Sequence, residues 1–294
     1  MSRLEQIIDQ AMNLPIWVAP HDPQVLGGGI TNLNVKLRDG AQSYVVRIGH
    51  DIDTHLVKRF NEQACHRASE RAGLSPRIVY AGDGILAMEF IEGKVLREEL
   101  AATPDMVDRI AALLRSLHRD ATRYLRGPVL VFWVFHVLRD YAARLEAENS
   151  PYQTRLVELM KIAEQLEAAV GPVSMALTHN DLLPANLIDA GDRLWLIDWD
   201  YGGFNSPLFD LASIASNCSF SYPLQKKLLE AYDDVPLSSR RYHAFSAMLC
   251  ASLLRETMWS MVSEISSEID FDYAGYTAQN HARFSAAYAD FLNS

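Results

Sequence analysis

The sequence is poor in cysteine and lacks the residue spacings that bind transition metals. Its three cysteines, Cys65, Cys218 and Cys250, lie far apart and form no CxxC pair. This pattern favours reduced, buried thiols over a disulfide framework or a zinc site. The nine histidines include no HExxH motif. The sequence therefore predicts neither a disulfide-stabilised fold nor a transition-metal centre.

The chain also lacks an excess of basic residues and any long apolar run. Its 27 lysines and arginines stand against 37 acidic residues, a net charge of −10, and no basic surface is evident that would bind nucleic acid. The acidity suits a small cationic ligand, although it also serves solubility. The longest apolar stretch, Pro128–Leu138, is interrupted by His136, and the N-terminus has no signal-peptide core. We therefore expect a cytoplasmic protein without a membrane span.

One stretch carries recognisable catalytic chemistry. His179-x-Asp181 is followed five residues later by Asn186, and an apolar run then ends on the carboxylate of Asp198. This order and spacing are typical of kinase-like phosphotransferases, in which the first aspartate meets the acceptor hydroxyl. Asn186 and Asp198 supply the oxygen ligands that Mg²⁺ prefers. Either piece alone would also fit an Asx-rich turn between strands, but together they predict a phosphotransferase.

The first third of the chain is predicted to form a small antiparallel sheet with two helices. The Asp39-Gly40 pair is a hairpin signal between two segments of strand-like alternation. Before them, Pro20 and Pro23 are predicted to break the chain ahead of the first strand. The predicted helices are residues 3–12 and 58–72, and the predicted strands are residues 34–37, 44–48, 77–80 and 85–89.

A single cation, Arg47, interrupts one of these apolar strands. An unpaired charge there would cost free energy, so Arg47 needs a partner, and Glu62 on the following helix is the candidate. Kinases pair a strand cation with a helix glutamate in this order to position nucleotide phosphates. The alternative is a structural ion pair without a ligand. The glycine run at residues 27–29 predicts a loop that approaches phosphates or, alternatively, a flexible turn.

Helical sequence patterns dominate the chain after the segment that contains Glu89, and we place the boundary between two lobes near Ile91. Residues 1–91 are expected to form a nucleotide-binding lobe. Residues 92–294 are expected to form a helical lobe with the catalytic loop and the substrate pocket. The extended linker between the lobes would offer backbone N–H and C=O groups to an adenine base.

Charged residues in the helical part have alternative explanations. His118 ends a predicted helix, where a hydrogen-bonded structural histidine is favoured over a catalytic one. Asp210 stands in the first turn of another helix, so it either complements the helix dipole or holds the catalytic loop in place. Arg255 and Glu256 interrupt a long apolar helix, predicted over residues 238–264, that we expect to be buried.

Together these motifs resemble the choline/ethanolamine kinase branch of the aminoglycoside phosphotransferase-like kinases. The resemblance spans most of the chain, through the segments L-G-G-G-I-T-N, Y-V-V-R-I, H-N-D-L-L-P-A-N-L, I-D-W-D-Y, F-D-L-A and I-D-F-D-Y. It implies an α+β, two-lobed protein-kinase-like fold with a small antiparallel β-sheet in the N-lobe and a mostly helical C-lobe. It also implies ATP and Mg²⁺ as cofactors and a small cationic alcohol as substrate.

The resemblance implies roles for individual residues. Asp181 would be the catalytic base, and Asn186 and Asp198 would act with it by binding Mg²⁺. The predicted nucleotide-binding residues are Gly28, Thr31, Asn32, Arg47, Glu62, Glu89 and Ile91. The predicted substrate residues are Asp200, Trp259, Tyr273 and Tyr276. A cation over an aromatic face gains ~0.5–2 kcal/mol, but the three aromatic residues would also suit ordinary core packing.

The substrate stays open because Asp200 stands where the family commonly has glutamate. We expect phosphorylation of choline first and ethanolamine second. The alternatives are an aminoglycoside, thiamine or other small-molecule kinase of the same superfamily, and a non-catalytic pseudokinase that serves as a binding module. The last is disfavoured because Asp181, Asn186 and Asp198 are all present. The sequence also leaves the oligomeric state open, with a homodimer as one alternative.

Overall fold

The computed structural model describes residues 2–27, 33–82, 84–267 and 269–293. The predicted phosphate-loop residues Gly28, Thr31 and Asn32 lie outside these ranges. The described chain contains a small hydrophobic core under the N-terminal sheet and a large one in the helical part. The site described below lies where these two parts meet.

The first part of the chain forms a five-stranded antiparallel sheet with two helices. Its elements are α1 (Arg3–Met12), β1 (Pro20–Leu26), β2 (Leu33–Asp39), β3 (Gln42–Ile48), α2 (Arg59–Arg71), β4 (Ile78–Gly82) and β5 (Ile85–Glu89). The strand order is β1-β2-β3-β5-β4. A capping box starts α1, because Ser2 and Glu5 each bind the backbone N–H of the other.

Alternation along the central strands separates a core face from a cleft face. Val35 and Leu37 of β2 and Val46 of β3 belong to the core that also includes residues of α1. Arg47 follows Val46 and faces the other side, since successive strand residues point in opposite directions. Its neighbour across the sheet is Leu86 of β5. The sheet thus directs the strand arginine away from α1.

The prediction that Pro20 and Pro23 prevent regular secondary structure ahead of the first strand is wrong. Residues 20–26 form β1, an edge strand that pairs antiparallel with β2. The register shifts between His21 and Gln24, where Pro23 stands. Proline lacks a backbone N–H, so it fits in a sheet at an edge, at the first residue of a strand or at an irregular position. Pro20 and Pro23 occupy such positions.

The remainder of the chain is mostly helical. Its elements are β6 (Lys94–Val95), α3 (Glu98–Ala101), α4 (Pro104–Asp120), α5 (Val134–Ala147), α6 (Gln153–Val170), β7 (Ala176–Thr178), β8 (Leu187–Asp189), β9 (Leu194–Leu196), β10 (Gly203–Asn205), α7 (Pro207–Asn217), α8 (Tyr222–Asp233), α9 (Ser239–Ser266) and α10 (Tyr273–Leu292). Strands β6, β8 and β9 form one small antiparallel sheet, and β7 pairs with β10.

The chain leaves the first sheet between β5 and β6. Strand β5 ends at Glu89, and β6 pairs with β8 of the helical part. The predicted lobe boundary at Ile91 falls within this connection and stays a prediction. Helix α2 also packs against the helical part, because its Cys65 and Ala68 belong to the large core. The predicted α+β class, a small antiparallel sheet followed by a mostly helical part, is confirmed.

Helix α9 lies at the centre of the helical part. It packs against α5, α6, α7 and α10, and Phe245, Met248, Leu254 and Met258 along it are fully buried. The prediction of a long, buried helix is therefore confirmed. Within the described ranges, no helix combines the length and the apolar character needed to cross a membrane.

We expect Leu114→Ala in α4 to lower the free energy of unfolding by about 2–5 kcal/mol, because truncation of a core leucine leaves a cavity. Leu114 is fully buried in the large core, whereas Val157 in α6 is 67% exposed. The control Val157→Ala should change the same quantity by less than about 0.5 kcal/mol. Urea denaturation followed by circular dichroism measures both, and equal effects would contradict this description of the core.

Candidate active site

A buried carboxylate holds the loop that follows β7. Asp210, in the first turn of α7, accepts hydrogen bonds from the backbone N–H groups of His179 (2.8 Å) and Asn180 (2.8 Å). His118 lies 2.9 Å from the same carboxylate and 2.8 Å from the Tyr232 hydroxyl. Of the two explanations for Asp210, the structure supports the one in which it holds the catalytic loop. The prediction that His118 is a hydrogen-bonded structural residue is confirmed.

The loop continues through a 3₁₀ turn that brings the predicted catalytic residues together. The Asn186 side chain donates a hydrogen bond to the backbone carbonyl of Asp181 (2.9 Å). The backbone carbonyl of Asn186 accepts one from Ile197 (3.1 Å), so Asn186 and Asp198 lie at the same end of the β8–β9 hairpin. Asp198 has a left-handed φ of 66°, a conformation that is uncommon outside glycine and recurs at functional sites.

The ligand atoms at this end of the hairpin suit Mg²⁺. This ion prefers oxygen ligands and is usually held by one or two carboxylates together with nucleotide phosphates. Asp198 supplies a carboxylate, and Asn186 supplies an amide oxygen because its Nδ2 binds the Asp181 carbonyl. Among the described residues, no three His, Cys, Asp or Glu side chains form a metal-binding group. The donor set of one carboxylate and one amide oxygen is the kind that binds Mg²⁺ jointly with phosphates.

Two arginines, one buried and one partly buried, form an ion-pair network with three carboxylates beside the hairpin. Arg47 Nη1 lies 3.0 Å from Glu62 Oε1 and 3.0 Å from Asp198 Oδ1, and Arg47 Nη2 contacts Asp200. Arg59 Nη1 lies 2.5 Å from Glu62 Oε2 and 2.6 Å from Asp200 Oδ1. The predicted pair of Arg47 and Glu62 therefore forms, within a larger network that joins β3, α2 and the segment directly after β9.

Burial changes the proton affinities within this network. Desolvation raises the pKa of Glu62, and the neighbouring Arg47 opposes that increase. Burial lowers the pKa of Arg47, but Asp198, Asp200 and Glu62 more than compensate and leave it above its usual value. Arg47 therefore keeps its positive charge inside the protein.

A further arginine, which is buried, lies beside the predicted catalytic base. Arg255 of α9 is 4% exposed. Its Nη2 lies 3.3 Å from Asp181 Oδ1, and its Nη1 donates to Glu256 Oε2 (2.5 Å). Desolvation raises the pKa of Asp181 from 3.8 to about 7, although Arg255 opposes the shift. Asp181 therefore titrates close to neutral pH, where a general base is most effective.

The predicted substrate aromatics converge next to this arginine. The Tyr276 hydroxyl donates to Glu256 Oε1 (2.8 Å), and Trp259 Nε1 donates to the Tyr201 hydroxyl (2.9 Å). The ring centre of Trp259 lies 6.3 Å from that of Tyr276 and 6.1 Å from that of Tyr273. Hydrogen bonds through Glu256 thus tie the aromatic group to the arginine that contacts the catalytic carboxylate.

Two further rings, those of His55 and Phe271, border the aromatic group formed by Trp259, Tyr273 and Tyr276. The His55 ring lies 5.1 Å from that of Trp259, and burial lowers the pKa of His55 to about 3, so the imidazole is neutral. The Phe271 ring lies 5.7 Å from that of Tyr276 and is 40% exposed. The group is therefore covered by His55 and reaches the surface at Phe271.

Glu89, the last residue of β5 before the linker, forms an ion pair with Arg77. The Glu89 carboxylate lies 2.6 Å from Arg77 Nη2, and the backbone N–H of Glu89 donates to the Arg77 carbonyl (2.9 Å). The backbone N–H of Phe90 donates to Ser43 (3.0 Å). These bonds fix the start of the linker on the sheet. Nucleotide contacts through Glu89 or Ile91 stay a prediction.

Several residues of the site were not predicted from the sequence. For Arg59 a signal existed, because it stands three residues before Glu62 and hence on the same helix face. Arg255 and Glu256 were identified only as an interruption of an apolar helix, yet a charge inside a buried helix needs a partner elsewhere. Tyr201 stands out in the sequence only as the last residue of the I-D-W-D-Y segment. For His55 the sequence carries no signal, since its role depends on packing.

Fold and site together define a kinase-like small-molecule phosphotransferase. A strand arginine and a helix glutamate face a loop that carries the aspartate, the asparagine and the second aspartate of this class. The profile of the choline/ethanolamine kinase family matches residues 24–242. The chain belongs to the choline/ethanolamine kinase family. The predictions of this family and of an alcohol phosphotransferase are confirmed.

The curated relatives include a LicA protein and an ethanolamine kinase. Protein LicA of Haemophilus influenzae is 26% identical over 270 residues, which cover 88% of this chain and 97% of the relative. The probable ethanolamine kinase of Arabidopsis thaliana is 25% identical over 285 residues, covering 85% of this chain and 75% of the relative.

Solved structures confirm the protein-kinase-like fold. The crystal structure of choline kinase LicA from Streptococcus pneumoniae superimposes with a TM-score of 0.77 at 24% identity, covering 97% of this chain and 100% of the other. A spectinomycin phosphotransferase superimposes with a TM-score of 0.64 at 13% identity, covering 97% of each chain. The fold is therefore shared with aminoglycoside phosphotransferases.

We expect Asp181→Asn to gain stability relative to the wild type as pH rises. The pKa of Asp181 is raised to about 7 in the folded protein from its usual 3.8. The contribution of this carboxyl to stability is therefore complete below about pH 4 and is lost as pH rises through about 7. Asparagine does not titrate, so the variant avoids that loss.

Thermal unfolding of both proteins at pH 5 and pH 8 measures this effect, and the difference should favour the variant more at pH 8. The control Asp192→Asn replaces a carboxylate whose side chain is 77% exposed and should show the same difference at both values. A pH-independent difference for Asp181→Asn would contradict the raised pKa.

Proposed function

We propose that this protein transfers the γ-phosphoryl group of ATP to the hydroxyl of a small amino alcohol, choline first and ethanolamine second. The observation that carries the proposal is the connection between Asp181 and the aromatic group. Arg255 lies 3.3 Å from Asp181, and Glu256 joins that arginine to Tyr276. A hydroxyl at Asp181 would leave the head group of a short amino alcohol beside these rings.

In this proposal Asp181 accepts the proton of the attacking hydroxyl, a step worth roughly 10²–10⁴-fold in enzymes. A pKa of about 7 leaves a useful fraction of the carboxylate ionised at neutral pH. The loop holds this carboxylate in place, because Asn186 binds the Asp181 carbonyl and Asp210 binds the two preceding backbone N–H groups.

Asn186 and Asp198 are the residues that would hold Mg²⁺. When bound, the ion would offset negative charge on the transferred phosphoryl group. Asp198 also lies 3.0 Å from Arg47, so the strand arginine would stand beside the same phosphates. Arg59 adds a second guanidinium next to Arg47, since both pair with Glu62.

An adenine nucleotide is supported by a related structure. The structure of LicA in complex with AMP superimposes on this chain with a TM-score of 0.75 at 23% identity. The nucleotide would lie between the N-terminal sheet and the β8–β9 hairpin. The remaining predicted contacts to it are Gly28, Thr31, Asn32, Glu89 and Ile91.

Choline stands ahead of ethanolamine because the nearby carboxylates are already engaged. A primary ammonium group donates hydrogen bonds and needs acceptors, whereas a quaternary ammonium group donates none and suits aromatic faces. Both oxygens of Glu256 accept hydrogen bonds, from Arg255 and Tyr276. Asp200, the other predicted acidic contact, is paired with two arginines. The aromatic rings are therefore the better partners for the head group.

Release of ADP from Mg-ATP in the presence of choline, ethanolamine, thiamine or kanamycin tests this function. We expect turnover with choline to exceed turnover with the other compounds. Asp181→Ala should abolish turnover while ATP binding, measured by calorimetry, is retained. Turnover with thiamine or kanamycin alone would contradict an amino alcohol substrate. Absence of both turnover and ATP binding would support the pseudokinase alternative.

We expect Tyr276→Ala to raise the KM for choline by roughly 3- to 30-fold, because a cation over a ring gains up to about 2 kcal/mol. Tyr276→Phe keeps the ring and removes only the hydroxyl that binds Glu256, so its KM should rise less. Steady-state kinetics with choline measure both variants. An equal loss in the two variants would show that the hydroxyl, and not the aromatic face, matters.

A further inference from the structure

Arg255 places a permanent positive charge inside the substrate side of the site. Its guanidinium lies between two carboxylates, with Nη2 3.3 Å from Asp181 and Nη1 2.5 Å from Glu256. Those carboxylates raise its pKa above the usual value although burial alone would lower it. The cavity that touches Asp181, Arg255 and Glu256 has a volume of only about 10 Å³, so this side of the carboxylate is packed.

The guanidinium also covers an aromatic face that would otherwise suit a substrate cation. Its central carbon lies 4.8 Å from the ring centre of Tyr201 and 6.0 Å from that of Phe132. A position over a tyrosine ring between two carboxylates is favourable for any ammonium group. In this chain the protein's own Arg255 fills that position. A substrate cation is left with Tyr276, which binds Glu256, and with the rings of Trp259 and Phe271 beside it.

We propose that Arg255 is a positioning residue that orients the amino alcohol by charge repulsion. The proposal rests on the proposed function. The fixed guanidinium keeps the ammonium head group away from Asp181, so the neutral hydroxyl end of the substrate meets the catalytic carboxylate. Without Arg255, a cation would also be attracted directly to Asp181, in an orientation that cannot react.

Glu256 lies between the guanidinium and the aromatic ring and so determines where an ammonium head group is attracted. Glu256 holds Arg255 through Oε2 and Tyr276 through Oε1, so it separates the guanidinium from the aromatic ring. A head group at Tyr276 would therefore lie on the attractive side of Glu256, while the guanidinium lies on the other side. The alternative role for Arg255, a purely structural ion pair, predicts no dependence of substrate orientation on its charge.

The proposal is tested with tetramethylammonium, which carries the head group of choline but no hydroxyl. Its inhibition constant against choline should fall at least about fivefold in Arg255→Gln, since a like charge is removed from the site. The kcat for choline should fall at least about tenfold in the same variant, because bound choline then also adopts the unreactive orientation. A structural defect would instead weaken both inhibition and turnover.

Variants of the same pair separate charge from packing. Arg255→Lys keeps the positive charge and should leave the inhibition constant within about twofold of the wild type. Glu256→Gln removes a negative charge and should weaken inhibition. The double variant Arg255→Gln with Glu256→Gln should bind tetramethylammonium more tightly than Glu256→Gln alone. This comparison remains informative if Arg255→Gln by itself folds poorly.

Arg241→Gln is the matched control. Arg241 belongs to the same helix and pairs with Asp233 at 2.8 Å, outside the site. Its replacement should therefore change neither the inhibition constant of tetramethylammonium nor the kcat for choline. Unchanged or weaker inhibition in Arg255→Gln, together with wild-type turnover of choline, would overturn this inference and leave the proposed function intact. Failure of the wild type to phosphorylate any amino alcohol would overturn both.

Discussion

The site depends on arginines that compensate closely spaced carboxylates. Asp181, Asp198 and Asp200 stand within a short stretch of chain, and folding gathers them with two glutamates. Carboxylates that are brought together out of water repel each other and favour protonation unless cations accompany them. Arg47 and Arg59 supply that charge on the sheet side, and Arg255 supplies it on the helical side. At Asp181 desolvation outweighs the effect of Arg255, and the pKa rises to about 7.

Rigid elements of the helical core place the groups around this charge network. Asp210 in α7 fixes the catalytic loop through two backbone hydrogen bonds. Helix α9 alone carries Arg255, Glu256 and Trp259, and α10 packs beside it. Side chains on helices of a close-packed core have little freedom to shift. The acidic and aromatic parts of the site therefore keep a fixed distance from each other, a condition for recognising a short substrate.

Prediction from the sequence succeeded where a local pattern carries the information. The helices over residues 3–12 and 58–72, the hairpin at Gly40, and the pair of Arg47 and Glu62 all follow from periodicity, turn chemistry or an isolated charge in an apolar strand. It was wrong at β1, because proline is unfavourable in most strands and only the sheet order shows that this strand lies at an edge. Arg59 escaped notice because a charge on a helix is usually exposed.

The reaction chemistry and the family follow from local sequence motifs. The spacing from Asp181 to Asn186 and on to Asp198 is contained within one stretch of chain, so it can be recognised without a fold. Which groups share the substrate side of the site depends on how the helices pack. Arg255 and Asp181 are far apart in sequence and meet only because α9 packs beside the catalytic loop. Charge pairing and ring contacts depend on distances in space, and distances between remote segments are set by packing.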